Sequence, residues 1–301
     1  MNSIEMHNLA VKTADSIFND LDKSLRRAGA LFGNPEEALH NLIFPEIKNV
    51  LGISIGGNVS GGYGKDEYTG EVRDIGLLLN CKDQPWGKSV ADISAIAEQG
   101  NAKNTFKPGD YLIIPVSMDE YIVDGVEFSA IEEGGVRLVV TAVFDDMVIF
   151  NFEDELLKAA MNSEATNKGG FAGTAVAKYL NEYFLDVVFD EVKDYLLPNK
   201  DGLKISLPTA YEVFGGGERW DKSVNWGEVI RHPYFEKCTN RIKVCIDDLN
   251  DTNWWWLSSP AAAHTSNFCL VTSNGSAYAT STASSTSGAI APALCVGKRH
   301  R

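Results

Sequence analysis

Residues Thr272 to Gly288 read TSNGSAYATSTASSTSG, and every one is Ser, Thr, Ala, Gly or Asn except Tyr278. By composition this is a flexible linker, but its flanks are not those of a linker. Ahead of it stand Trp254-Trp255-Trp256-Leu257 and Asn267-Phe268-Cys269-Leu270-Val271, and behind it stands Ile290-Ala291-Pro292-Ala293-Leu294-Cys295-Val296. Apolar anchors on both sides imply a folded domain that carries the bland segment at its surface. A surface of small, interchangeable side chains is a place where identity is free to vary.

The rest of the chain supplies a scaffold. Its 301 residues suffice for one large domain or two modest ones. The formal net charge of -14 repels phosphate backbones and disfavours nucleic-acid binding. The first residues, MNSIEMHNLAVKTADSIF, hold neither the basic nor the apolar region of a secretory signal, and no run is apolar enough to span a membrane. Five scattered cysteines, Cys81, Cys238, Cys245, Cys269 and Cys295, point to reduced thiols in a cytosolic folding compartment. No zinc-site spacing is present, and neither a metal nor a cofactor is expected.

Residues 3–30 carry an apolar stripe at Ala14, Ile17, Leu21, Leu25 and Ala28, which predicts a helix. A second helix is predicted after Asn34-Pro35, carrying Leu39, Leu42, Ile43 and Ile47. The glycines from Gly52 to Gly70 resemble a phosphate loop only superficially. Gly64-Lys65 is followed by Asp66, and Gly87-Lys88-Ser89 has Lys82 where the first glycine is required, so a flexible arm is predicted. From about residue 104 the pattern turns to strands: Tyr111–Val116, then a hairpin of Val136–Phe144 and Met147–Phe152 about Asp145-Asp146. Thr174 is placed to cap a helix through Tyr179, Leu180 and Phe184, and Asp190–Leu197 reads as another helix ended by Pro198. Short strands are predicted at Ile205-Ser206-Leu207 and in the terminal segment. Asn274-Gly275 marks a two-residue hairpin turn. The fold class read from this order is α+β.

The block Trp254-Trp255-Trp256-Leu257-Ser258-Ser259-Pro260, followed by Asn267–Val271, Asn274-Gly275 and Ser287–Val296, resembles the C-type-lectin-fold variable proteins of diversity-generating retroelements, in the branch found in phages and gut bacteria. Upstream, Asn167-Lys168-Gly169-Gly170-Phe171, Tyr179-Leu180-Asn181, Ile205–Thr209 and Glu212-Val213-Phe214-Gly215 fit the same branch. Ser258 departs from the Arg common there. The resemblance spans roughly residues 104–297. It implies a C-type-lectin-like domain, related in fold to formylglycine-generating enzymes, over residues 104–301, with a variable segment at about 253–291. Residues 1–103 would form a helical, glycine-rich attachment or oligomerisation region.

In that family, adenine-directed mutagenesis varies scattered positions while a framework stays fixed. Matched to the motif, the variable, ligand-contacting positions are Ala261, Ala263, His264, Leu270, Thr272, Ser276, Tyr278, Thr280, Thr282, Ser284, Thr286 and Ala289. The framework is Trp254, Trp255, Trp256, Phe268, Cys269, Leu294 and Cys295. Small hydroxylic residues give adaptable hydrogen bonding, and Tyr278 is an aromatic anchor. The tryptophans read as core, with indole N–H groups that require partners.

The expected function is a hypervariable display protein that binds a protein or glycan on a target cell. The expected location is a phage virion assembled in the bacterial cytoplasm, with the N-terminal region joining the particle or sister subunits of a homo-oligomer. Two alternatives stand beside it. One is a formylglycine-generating-type enzyme using Cys269 and Cys295, for which no neighbouring base activates either thiol. The other is a capsid or tail protein whose lectin-like domain binds nothing. An oxygen-rich run, Asp247, Asp248, Asn250, Asp251 and Asn253, is a calcium candidate that reads more simply as a solvated loop.

Overall fold

Alternating apolar side chains and short turns build one large antiparallel sheet. The computed structural model describes residues 78–80, 87–217, 220–244 and 252–298. Strand β1 (Leu78–Asn80) pairs with β2 (Gly87–Ser89) and with β3 (Tyr111–Met118). Between β2 and β3 lie α1 (Val90–Glu98) and α2 (Ala102–Thr105). Helix α1 opens on a capping box in which the Ser89 hydroxyl accepts from Asp92 N–H while the Asp92 carboxylate accepts from Ser89 N–H. Its buried face is Val90, Ile93 and Ala97, and the Ser94 hydroxyl donates to the Gly297 carbonyl. The domain therefore takes in residues before 104. The predicted boundary at 103/104 cuts a helix-and-strand unit that shares the main core. The two helices and the glycine arm predicted before residue 71 lie outside the described residues.

Strand β3 buries every second side chain over most of its length, as a strand with one face on a core must. A small hairpin of β4 (Tyr121–Val123) and β5 (Val126–Phe128) turns at Asp124 and Gly125, both in left-handed backbone conformation. Then β6 (Ile131–Val143) and β7 (Met147–Phe152) form the predicted hairpin, with a bulge between Val140 and Ala142. β8 (Leu157–Lys158) leaves this sheet for the second one.

Thr174 caps the next helix as expected, its hydroxyl accepting from Ala177 N–H. The helix runs as α3 (Ala175–Lys178), a π-turn over Tyr179–Phe184 and α4 (Leu185–Val188). Tyr179 stacks on Phe128 at 4.0 Å, which fastens the helix to the small hairpin. The helix predicted over Asp190–Leu197 shrinks to a 3₁₀ turn at Lys193–Tyr195. The competing partner is an open sheet edge: Leu196 bridges to Val296, and Leu197 N–H donates to the Cys295 carbonyl. Tertiary pairing outweighs local helix preference here.

The remaining elements are β9 (Ile205–Ser206), α5 (Ala210–Phe214), β10 (Lys243–Val244), β11 (Thr252–Asn253), β12 (Trp255–Pro260), β13 (Asn267–Val271), β14 (Ala277–Thr282), β15 (Ala289–Ile290) and β16 (Ala293–Gly297). The first sheet has the order β2-β1-β3-β6-β7-β16-β9, and the second β14-β13-β12-β15-β8. The chain is a mixed α+β fold, mostly strand. The two sheets are tied where β7 and β15 leave them: Phe152 N–H donates to the Pro292 carbonyl, and the Asn151 side-chain amide donates to the Ala291 and Pro292 carbonyls. No helix among the described residues is long and apolar enough to cross a membrane.

Candidate functional site

The second sheet carries the bland segment, and its framework is fixed from below. Trp255 and Trp256 are fully buried, Trp254 half-buried. Both buried indoles find main-chain acceptors: Trp255 Nε1 donates to the Arg241 carbonyl at 2.8 Å, and Trp256 Nε1 to the Ala159 carbonyl at 3.0 Å. Lys243 is also buried, its ammonium 4.6 Å from the Trp255 ring centroid and donating to Asn151 Oδ1 and the carbonyls of Phe152 and Glu153. A cation inside the core is tolerated because carbonyl oxygens and an indole face replace its water. Phe268, Cys269, Leu294 and Cys295 are buried too. Burial pushes the Cys269 thiol up to about 12 and the Cys295 thiol well above its ordinary value, so both stay protonated.

The bland segment is glycine-locked at two points. A Cβ on Gly288 would overlap the Trp256 indole nitrogen and lie 2.5 Å from its Cε2 and 2.6 Å from Trp254 Cη2. Gly275 has φ +80, and a Cβ there would lie 2.7 Å from the Cys238 carbonyl oxygen. The turn around Gly275 is longer than the two residues predicted. Strands β13 and β14 stay paired only as far as Val271 and Ala277. Across the gap, Thr272 N–H donates to the Ser276 carbonyl while the Thr272 hydroxyl bonds Asn274 Oδ1 and accepts from Ser276 N–H.

The twelve positions matched as variable divide sharply. Ala263, His264, Ser276, Thr282 and Thr286 are exposed and Ser284 is half-buried. Tyr278 and Thr280 lie on β14, the edge strand of the sheet. Three are buried instead: Ala261 just after β12, Leu270 on β13 in the main core, and Ala289, which pairs with Trp255 between β12 and β8. As they stand, Leu270 and Ala289 present no surface to a partner, and Ala261 meets one only through the depression that it helps to line. Thr272 is half-buried, and its hydroxyl is spent on closing the turn.

The exposed positions form two groups at opposite ends of the β13–β14 hairpin. Residues 261–266 and 282–286 adjoin at one end, where Ala283 N–H donates to the Ser266 carbonyl and Asn267 faces Thr282. Ser276 lies at the other end, a five-residue strand or about 17 Å away. The 261–265 loop is held through its main chain. Ala261 N–H donates to the Asn267 carbonyl and His264 N–H to the Ala261 carbonyl, while Asn167 donates from its backbone to the Thr265 carbonyl and from its side chain to the His264 and Asn267 carbonyls. No side chain from 261 to 265 takes part in these bonds.

Two depressions flank this loop and share Asp221 and Pro260. One, of about 430 Å³, is formed by the loop itself with Asn167. The other, of about 180 Å³, runs between Gly169–Ala172, Lys200-Asp201, Asp221 and Ser258-Ser259. Its floor is a closed polar network. The Glu212 carboxylate accepts from Thr209 N–H, Asn225 N–H and the Asn225 amide, and the Asn225 amide continues to Ser206, Leu207 and Asn199. Burial pushes Glu212 up to about 7, against the pull of those donors. His232 lies 3.8 Å from Glu212, and burial pushes it down to about 3, so the imidazole is neutral. Its Nδ1 shares a hydrogen bond with Thr141, and Nε2 has no hydrogen-bond partner among the described residues.

The roles of Asn167, Asp221, Glu212, Asn225 and His232 do not follow from a reading of motifs. Thr209-x-x-Glu212 is legible as a capping box, but only the packing turns it inward. Among the described residues no three His, Cys, Asp or Glu side chains gather as a metal site. Of the oxygen-rich run only Asn253 is described; Cys81 and Cys245 lie outside the described residues. Residues 140–298, just over half of the chain, match the family model described as Domain of unknown function (DUF6273), and the chain belongs to that family. No curated protein and no solved structure matches it.

Proposed function

We propose that this DUF6273 chain is a ligand-binding display protein with a C-type-lectin-like scaffold, diversified in its terminal segment by a retroelement and carried on a phage particle. The observation that supports this best is the main-chain anchoring of the 261–265 loop. Asn167 grips its carbonyls, and no side chain of the loop is used. Positions held this way accept new side chains with little effect on the fold, which is how binding proteins separate stability from specificity. The working face comprises Ala263, His264, Thr282, Ser284 and Thr286 at one end of the hairpin, Ser276 at the other, and Tyr278 and Thr280 on the edge strand between. Its partner is a protein or glycan on a target cell.

Sequencing the flanking DNA and many copies of the gene from one population tests this reading. The expected result is a near-identical repeat, differing at adenines, beside a reverse transcriptase gene, with variation confined to the exposed positions. Uniform drift along the chain and no such repeat would overturn it. Mass spectrometry of purified particles tests the virion placement.

A further inference from the structure

The cleft beside the display loop has a chemistry of its own. Its floor is saturated: the Thr209 hydroxyl donates to the Ser223 carbonyl and accepts from Glu212 N–H, and the Asn225 amide is fully engaged. Its rim is not. The Asp221 carboxylate is oriented through Oδ1, which accepts from Ser223 N–H and hydroxyl, while Oδ2 accepts from none of the described residues. The Ser259 oxygen accepts from Ala210 N–H and keeps its proton to donate. The Ser258 hydroxyl makes no hydrogen bond among the described residues. Lys200 and Asp201 add an exposed ammonium and a second carboxylate.

We infer that this cleft binds one ring of a neutral polyhydroxylated ligand, a single sugar unit, as a constant subsite next to the variable loop. The lining decides the class. An anion would meet the carboxylates of Asp201 and Asp221, and a guanidinium or ammonium, which only donates, would leave Lys200 and the Ser258 and Ser259 hydroxyl protons without an acceptor. A hydroxyl both donates and accepts, so a ring of hydroxyls satisfies carboxylate, serine and ammonium together. The volume of about 180 Å³ leaves room for one such ring. None of these rim residues is among the positions matched as variable. Because the two depressions share Asp221 and Pro260, a sugar here lies within reach of a larger ligand held by the loop. As a shared subsite for the displayed ligand, the inference rests on the display reading; the sugar binding itself does not.

The test is ligand-observed NMR on the full chain with methyl α-glucoside, methyl α-mannoside, methyl β-galactoside and N-acetylglucosamine, with inorganic phosphate and methylguanidine as charged probes. At least one sugar is expected to saturate in the millimolar range, and neither charged probe. Asp221→Ala removes a charged acceptor and weakens binding about tenfold or more. Ala172→Phe, at an exposed position on the cleft wall, fills the space and abolishes binding, with circular dichroism confirming that both variants are folded. No sugar binding, binding indifferent to both variants, or preference for a charged probe would overturn the inference. Exchange at Ala263 and His264 leaves sugar binding intact. A library at those positions that yields no binder while the sugar still binds counts against the display reading alone, and binders without sugar binding count against the cleft alone.

Discussion

Gly288→Ala isolates the point where the bland segment meets its framework. Gly288 does not need a left-handed backbone, so the cost of a methyl group is steric. The new Cβ would overlap the Trp256 indole nitrogen and lie 2.6 Å from Trp254 Cη2. Relief requires the Trp256 indole to move, and that breaks its 3.0 Å hydrogen bond to the Ala159 carbonyl. Overpacking a rigid core costs about 1–3 kcal/mol. Leaving the buried indole N–H unpaired costs about 1–3 kcal/mol more. The sum is about 2–6 kcal/mol, or roughly 4–24 °C in Tm at about 2–4 °C per kcal/mol for a unit of this size. Urea unfolding followed by tryptophan fluorescence measures it, with Thr286→Ala as the control, expected within about 0.5 kcal/mol of the parent. A Gly288→Ala protein as stable as that control would refute the packing argument.

Asn167→Ala removes two side-chain hydrogen bonds to the His264 and Asn267 carbonyls. It should cost about 1–3 kcal/mol, with faster amide exchange at Ala261 and His264 read by hydrogen-exchange mass spectrometry. Lys243→Met leaves Asn151 Oδ1 and the Phe152 carbonyl without their buried donor and should destabilise by about 2–4 kcal/mol in urea. His232, held near 3 in the fold against 6.5, contributes stability that is full above pH 6.5 and lost as pH falls toward 3. Glu212, raised from 4.5 to about 7, acts oppositely, its contribution being full below pH 4.5 and lost as pH rises through 7. Urea midpoints across pH 4–8 should therefore lose their alkaline decline in Glu212→Gln and part of their acid decline in His232→Asn, each by at most about 1.4 kcal/mol per pH unit.

What the sequence revealed and what it hid divide along physical lines. The β6–β7 hairpin and the Thr174 cap were legible because periodicity and capping are local signals. The Trp255-Trp256 core was legible because large apolar side chains are seldom left in water. Helix α1 carried its own signal in Ser89-x-x-Asp92 before Val90, Ile93 and Ala97, and the glycine-rich stretch ahead of it obscured that signal. The helix predicted at Asp190–Leu197 failed because the β16 edge needed a partner, which only the assembled sheet creates. Leu270 and Ala289 fit the motif spacing of exposed positions, yet β13 and β15 lie inside their sheet, so burial there is set by strand neighbours; Ala261, just past the end of β12, is buried in the main core. The grip of Asn167 on residues about a hundred positions away, and the inward turn of Glu212, left no trace in spacing at all.

The central claim is that a fixed framework carries an exchangeable face. A saturation library over residues 254–296, sorted for folded protein and sequenced, tests it most directly. Ala263, His264, Ser276, Thr282 and Thr286 are expected to accept nearly every residue, while Trp255, Trp256, Phe268, Gly275, Gly288 and Leu294 accept almost none. Free substitution at the tryptophans and glycines, or intolerance at the exposed loop, would contradict it.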